Sequence, residues 1–361
     1  MKLNKLKIYK AGIKAVAAMA LTVAAVNVQA QGIHFSQYYN APLLVNPANT
    51  ALMSENDYRL GLNYRNQWNK VPVPFKTVSA FADMQAFRAA NETNWMGIGF
   101  AFFNDVAGDG NLTLNRGDVF LAYHVQTNDN FMISAGLSAG YASRNVNYDK
   151  LTFDEQWNAG QFKFDRSLPN GEMINGTEMN NIIKTNYLDI GAGVNFAYFP
   201  NELIYVKLGA GVAHVNTPTE TFYNMTNEIG IRPSVNLDGQ FVIAKSVTLN
   251  PSVYYTTQQG AYQIVGGTLV YIYIGDGGSS NGNSSKALGV IAGGHYRYKE
   301  AFIGSLGLEY VGLKFMTSYD YTTSTLSPEN NGNGAFEFSI IYTGKYGERR
   351  RSASNMNCPR F

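Results

Sequence analysis

Apolar and polar side chains alternate along this chain with a period of two. Tyr58, Leu60, Leu62 and Tyr64 interleave with Arg59, Gly61, Asn63 and Arg65. Leu188, Ile190, Ala192, Val194, Phe196 and Tyr198 interleave with Asp189, Gly191, Gly193, Asn195 and Ala197. Successive side chains of a strand point to opposite faces. Each run therefore has one apolar face, aromatic near its ends, and one face of Gly, Ser, Asn and charge. The pattern predicts strands at approximately 57–65, 75–84, 95–103, 117–126, 131–141, 187–199, 203–214, 231–243, 247–256, 261–274, 287–298, 301–310, 313–321 and 335–342. Fourteen is an even number, as an all-β, antiparallel up-and-down transmembrane barrel with lipid outside and a polar lumen requires. A soluble β-sandwich array is the rival architecture. Its strands average about five to six residues, whereas these approach the nine to eleven that cross a membrane at a tilt.

Connection lengths alternate as well. With both ends of the barrel chain in the periplasm, the turns 127–130, 200–202, 244–246 and 311–312 are tight and fall on the inner side. The segments 66–74, 104–116, 142–186, 215–230 and 322–334 fall on the outer side and are mostly long. Short inner turns and long outer loops are the habit of outer-membrane barrels. The Gly/Ser/Asn stretch 275–286 is longer than an inner turn should be, and a miscounted strand pair is the alternative to a flexible inner loop.

Residues 1–30 stand apart from this pattern. Lys2, Lys5, Lys7, Lys10 and Lys14 precede an apolar run, Ala15 to Val26, and the small-residue site Val28-Gln29-Ala30. That order reads as a secretory signal peptide, and the run is too short for a membrane anchor. Residues 31–56 hold Pro42 and Pro47 and are read as an N-terminal, plug-like segment at the periplasmic mouth. The barrel is expected over 57–342 and a periplasmic tail over 343–361, which places the protein in the outer membrane of a Gram-negative bacterium.

Charge and chemistry change the picture little. Five of the 28 basic residues lie in the leader, which has no acid, so 23 basic face 26 acidic residues in the remainder. Nothing points to nucleic acid. His34, His124, His214 and His295 are scattered without metal-ligand spacing, Cys358 has no partner for a disulfide, and no catalytic constellation or cofactor site is expected. Strand parity turns Arg59, Arg65, Asp320 and Glu337 into the lumen, the last three near the same outer end of the seam between the first and last strands. These four are the candidate lumen charge network. Phe153, Trp157, Phe162 and Phe164 in the long outer segment, and Cys358, Pro359, Arg360 and Phe361 at the tail, are the candidate partner-binding residues.

Several blocks carry a family resemblance. His34-Phe35-Ser36-Gln37-Tyr38-Tyr39, Pro42-Leu43, Asn46-Pro47-Ala48, Tyr58-Arg59 and Asn63-Tyr64-Arg65-Asn66-Gln67-Trp68 stand near the start. Ser318-Tyr319-Asp320, Ser324, Leu326, Gly334-Ala335-Phe336-Glu337-Phe338-Ser339 and Cys358-Pro359-Arg360-Phe361 stand near the end. Together they resemble the PorP/SprF outer-membrane proteins of the type IX secretion system, although the 275–286 insertion departs from that family. The resemblance implies a non-enzymatic barrel serving protein secretion and gliding motility, through secretion or surface anchoring of adhesins with a type B C-terminal domain. It implies as partners that adhesin domain, translocon or motor-ring components and a periplasmic peptidoglycan-binding lipoprotein, besides outer-membrane lipid. Asn-Pro-Ala by itself also resembles FadL-type barrels, so a FadL-like channel for small hydrophobic molecules is the alternative. Such a channel needs a continuous apolar pocket.

Overall fold

In a computed structural model the described residues lie between 35 and 346, with 54–55, 69–73, 89–92, 109, 148–150, 152–155, 166–181, 223–224, 276–287 and 326 outside the description. The leader, Phe153 and the tail from 347 onward, with Cys358, Pro359, Arg360 and Phe361, therefore lie outside the described residues.

Alternating segments cannot bury one face against a single layer. Here they satisfy both faces by closing on themselves. Fourteen antiparallel strands form a closed barrel: β1 (Tyr58–Gln67), β2 (Phe75–Ala86), β3 (Asn94–Ala107), β4 (Leu112–Asn128), β5 (Phe131–Asn147), β8 (Ile182–Asn201), β9 (Ile204–Ala213), β12 (Arg232–Ala244), β13 (Val247–Gln258), β14 (Ala261–Ile274), β15 (Leu288–Arg297), β16 (Ala301–Tyr310), β17 (Leu313–Thr322) and β18 (Asn333–Gly344). Two short hairpins, β6 (Trp157–Asn158) with β7 (Lys163–Phe164) and β10 (Thr219–Phe222) with β11 (Met225–Glu228), rise from the loops. The seam closes β1 on β18, from Tyr58 opposite Gly344 to Gln67 opposite Ala335. β14 and β15 pair directly across the Gly/Ser stretch, so the count of fourteen stands.

The exposed face is an apolar belt that includes Leu60, Leu62, Phe100, Val119, Leu121, Leu137, Leu188 and Phe302. Near the rims sit aromatic pairs such as Phe131 with Tyr198 and Tyr296 with Phe302, whose ring centroids lie 4.7 and 4.8 Å apart. Aromatics at the ends of an apolar band are what a bilayer's two interfaces select.

The largest extensions beyond the expected bounds are in β3, β4, β5 and β8, which have 14, 17, 17 and 20 residues, whereas β15, β16 and β17 have 10 each. Much of the expected outer loops 104–116 and 142–186 is thus strand. The hydrophobic alternation fades there because both faces meet water, and polar ladders such as Asn104 to Asn115 at 2.8 Å take over. At about 3.3 Å per residue, the five residues Leu112–Arg116 that β4 adds at its loop-bearing end raise one side of that rim by roughly 16 Å along the strand.

Residues 35–53 fold into the lumen as three short turns: Tyr38–Asn40, Pro42–Val45 and Pro47–Asn49. Ser36 bonds Arg65 near the loop-bearing rim, and the Met53 carbonyl accepts from Gln85 near the opposite rim. The segment therefore runs the height of the barrel and does not stand at one mouth. Its centre lies flat on the wall because glycine lets it. A Cβ on Gly136 would sit 2.5 Å from both the Ala48 nitrogen and the Pro47 carbonyl oxygen, and one on Gly193 would strike the Asn46 side chain. Asn46 fastens this contact, accepting from Ala48 N–H at 2.9 Å and donating to the Val194 and Ala210 carbonyls at 3.1 and 3.2 Å.

Overpacking a filled interior costs about 1–3 kcal/mol. Gly136→Ala is expected to lower the thermal unfolding midpoint and to raise single-barrel conductance in a planar bilayer, while an Ala substitution at the exposed turn residue Lys245 leaves both unchanged.

Candidate functional site

The lumen is a polar interior, and its charges are sorted into clusters by strand register. Arg65 of β1 stands directly across from Glu337 of β18, and their side chains form an ion pair. Arg65 also reaches Asp320 of β17 at 3.3 Å, and Arg297 of β15 reaches the same carboxylate oxygen at 3.2 Å and Glu300 at 3.0 Å. The lumen segment completes this group. Glu337 accepts the backbone N–H groups of Ser36 and Gln37 at 2.6 and 2.8 Å. The Ser36 hydroxyl donates to Asp320 at 2.6 Å and accepts from both guanidiniums. Arg65 and Glu337 are 2 and 1 % exposed, so their charges are compensated by partners and not by water.

Arg65, Asp320 and Glu337 are thus brought together, and Arg59 is not. Arg59 makes a two-point contact with Asp83 at 3.0 and 2.7 Å near the other rim. Asp83 in turn accepts the Ala51 N–H at 2.7 Å. Asp83 faces Arg59 across the hairpin that joins β1 and β2, a register that the alternation by itself does not give. Arg297 sat at an inward position of its alternation. Ser36 carried no such signal, since it belongs to no strand.

Between these two clamps the segment is held by rings. Tyr38 stacks on Tyr254 with centroids 5.3 Å apart and shares a 2.6 Å hydrogen bond with Ser252, while Tyr39 stacks on His295 at 5.4 Å and donates to Ser305. Burial pushes both phenols well above their usual range, which keeps them neutral. Trp95 donates to the Ala51 carbonyl at 2.9 Å, and His124 lies 2.8 Å from the Thr50 carbonyl.

A third cluster lies under the tall side. Arg116 pairs with Asp118 and Asp189, His214 bonds Asp189 at 2.9 Å, and Arg144 pairs with Glu220 of β10 at 2.8 Å. Burial pushes the His214 ring below its usual range against the Asp189 hydrogen bond, and pushes the Glu220 carboxyl up against the Arg144 guanidinium. Together with Leu43, Leu44, Phe103, Phe120 and Arg232, this cluster borders a cavity of about 370 Å³ near the loop-bearing rim. Between β5 and β8 in the chain, the β6–β7 hairpin displays its rings. Trp157 and Phe164 pack edge to face with centroids 5.0 Å apart, and Phe162 is 83 % exposed. Among the described residues no group of His, Cys, Asp and Glu is arranged to hold a metal ion.

A family model described as type IX secretion system membrane protein PorP/SprF matches residues 27–342. The chain belongs to the PorP/SprF family. Its barrel is similar in fold to the Ralstonia pickettii toluene transporter TbuX, with 12% identity, coverage of 85% of this chain and 94% of that chain, and a TM-score of 0.51. The monoaromatic hydrocarbon channel CymD gives 12% identity, 88% and 95% coverage and a TM-score of 0.50. A Pseudomonas aeruginosa FadL homologue gives 11%, 84% and 94%, and 0.49. At such identities the likeness concerns the barrel alone. No curated protein matches the chain. Family and barrel together make this PorP/SprF protein an outer-membrane component of type IX secretion.

Removing one partner of a buried network strands the rest at about 3–5 kcal/mol, while an exposed turn substitution stays within about 0.5 kcal/mol. Glu337→Ala is therefore expected to lower the denaturant midpoint of the detergent-solubilised barrel far more than Lys245→Ala. Equal midpoints would remove the network from the account of stability.

Proposed function

We propose that this PorP/SprF protein acts without catalysis, supporting secretion or surface anchoring of an adhesin with a type B C-terminal domain. In this reading the long loops face the cell surface and both ends of the barrel chain face the periplasm. The observation that carries it is the occupied lumen. A segment clamped at Arg65–Glu337 and at Arg59–Asp83 blocks the direct path for a solute. The tall rim with its exposed Trp157, Phe162 and Phe164 offers the surface expected of a protein platform, since exposed aromatics are favoured interface anchors. A FadL-like channel for small hydrophobic molecules needs a continuous apolar path. Half the residues around the 370 Å³ cavity are polar or charged, which argues against it.

On the periplasmic side, the tail, expected over 343–361 but starting beyond Gly344 because β18 extends that far, is proposed to dock through Cys358, Pro359, Arg360 and Phe361 on translocon or motor-ring components or on a peptidoglycan-binding lipoprotein. An aromatic, a guanidinium and a free carboxylate are recognisable groups on a segment too polar to fold alone. Tyr346 already ties the start of the tail to the barrel, its N–H donating to Asp57 at 2.9 Å.

Affinity purification from native outer membrane, followed by mass spectrometry, tests the class: adhesin and secretion components are expected to co-purify. Replacing 157–164 by a Gly/Ser linker is expected to leave a heat-modifiable barrel and to abolish adhesin display, and normal display would overturn the role of this hairpin. Deleting 357–361 is expected to reduce recovery of the periplasmic partners at unchanged barrel abundance.

A further inference from the structure

The 370 Å³ cavity lies within the size range of ligand sites, and its polar atoms are not all spent on one another. Arg116 is held by Asp118 and Asp189. The Arg144–Glu220 pair is only half used. Buried Arg144 Nε, a donor, and buried Glu220 Oε1, an acceptor, have no hydrogen-bond partner among the described residues. Arg232, at the start of β12, borders this cavity and an adjoining one of about 50 Å³, and forms no ion pair among the described residues. Leu44, Phe103, Leu114 and Phe120 supply an apolar floor. Glu228 at the margin is exposed, so solvent screens its charge.

An unpaired donor, an unpaired acceptor, a spare guanidinium and an apolar floor describe a definite ligand. A hydrocarbon would satisfy the floor and leave the three polar groups without a partner. A simple fatty carboxylate would satisfy Arg232 and leave Glu220 without a donor. The geometry points to a site for the carboxyl-terminal end of a polypeptide that closes on an apolar or aromatic residue. Its terminal carboxylate pairs with Arg232, whose planar fork suits two-point carboxylate contacts. Its last peptide unit gives an N–H to Glu220 and a carbonyl to Arg144 Nε, and its last side chain rests on Phe103 and Phe120. The cavity lies at the loop-bearing end, bordered by Arg144 near the end of β5 and Glu220 of the β10–β11 hairpin, so the natural donor of such an end is a protein docked on the rim. This assignment rests on the reading of the rim as a docking platform for a secreted protein.

The test uses the full chain in detergent micelles, titrated calorimetrically with N-acetyl-Gly-Ser-Gly-Phe as the free acid, with its C-terminal amide, and with decanoate. The free acid is expected to bind, and the amide at least tenfold more weakly. Arg232→Gln is expected to weaken the free acid at least tenfold in a barrel that remains heat-modifiable, and Glu220→Gln to weaken acid and amide alike. Equal binding of acid and amide, binding of decanoate alone, or no binding would each overturn the assignment. The two readings separate in cells. Adhesin display that survives Arg232→Gln but not replacement of 157–164 overturns the cavity assignment and leaves the platform. Display that survives hairpin replacement, with Arg232-dependent peptide binding intact, overturns the hairpin platform and leaves the cavity.

Discussion

A carboxylate inside a barrel wall has neither lipid nor bulk water to stabilise its charge, and Glu337 is where this constraint is met. One oxygen accepts from Ser36 and pairs with Arg65, the other accepts from Gln37. Charge-assisted bonds of this kind are the strong ones, and here they join three parts of the chain distant in sequence: the lumen segment, the first strand and the last. Arg297 and Asp320 extend the same group along the wall. Take the segment away and two guanidiniums and two carboxylates face each other with no hydroxyl or amides between them.

The rest of the interior follows the same logic at lower charge. Tyr38 and Tyr39 bring polar tips to Ser252 and Ser305 and flat faces to Tyr254 and His295, so rings fill the upper lumen while both of these phenol hydroxyls are paired. Below them the Asn46-Pro47-Ala48 turn meets glycine on the wall, backbone against backbone. The uneven rim complements this filling. The lumen segment fills the centre, and the side made by β4, β5 and β8 stands tall with the cavity at its foot.

The barrel was legible because membrane and lumen impose opposite demands on neighbouring residues, and a period of two records both. All fourteen strands fall where the alternation places them. The ends of β4 and β5 escaped notice because Arg116, Arg144 and Asn147 stand where no lipid demands an apolar partner. The same parity turned Arg65, Asp320 and Glu337 inward. It could not reveal that Arg59 belongs with Asp83, since parity gives the face and only register gives the neighbour. Least visible was the lumen segment's path. Its contacts with β3, β5, β8, β15, β17 and β18 span up to 301 residues of sequence separation, and its turns have no periodicity to read.

The clamp at Ser36 and Gln37 also constrains the order of events during biogenesis. A loop of backbone with Tyr38, Tyr39 and Leu43 in place is too bulky to thread into a finished cylinder whose every strand is paired. The last strand carries Glu337 and closes on the first, which directly follows the segment in the chain. The cylinder must therefore zip shut around material already lying across its open sheet. Whatever machinery inserts this protein handles a core-first assembly, in which the N-terminal residues act as an internal template and the final pairing of β18 with β1 seals them in.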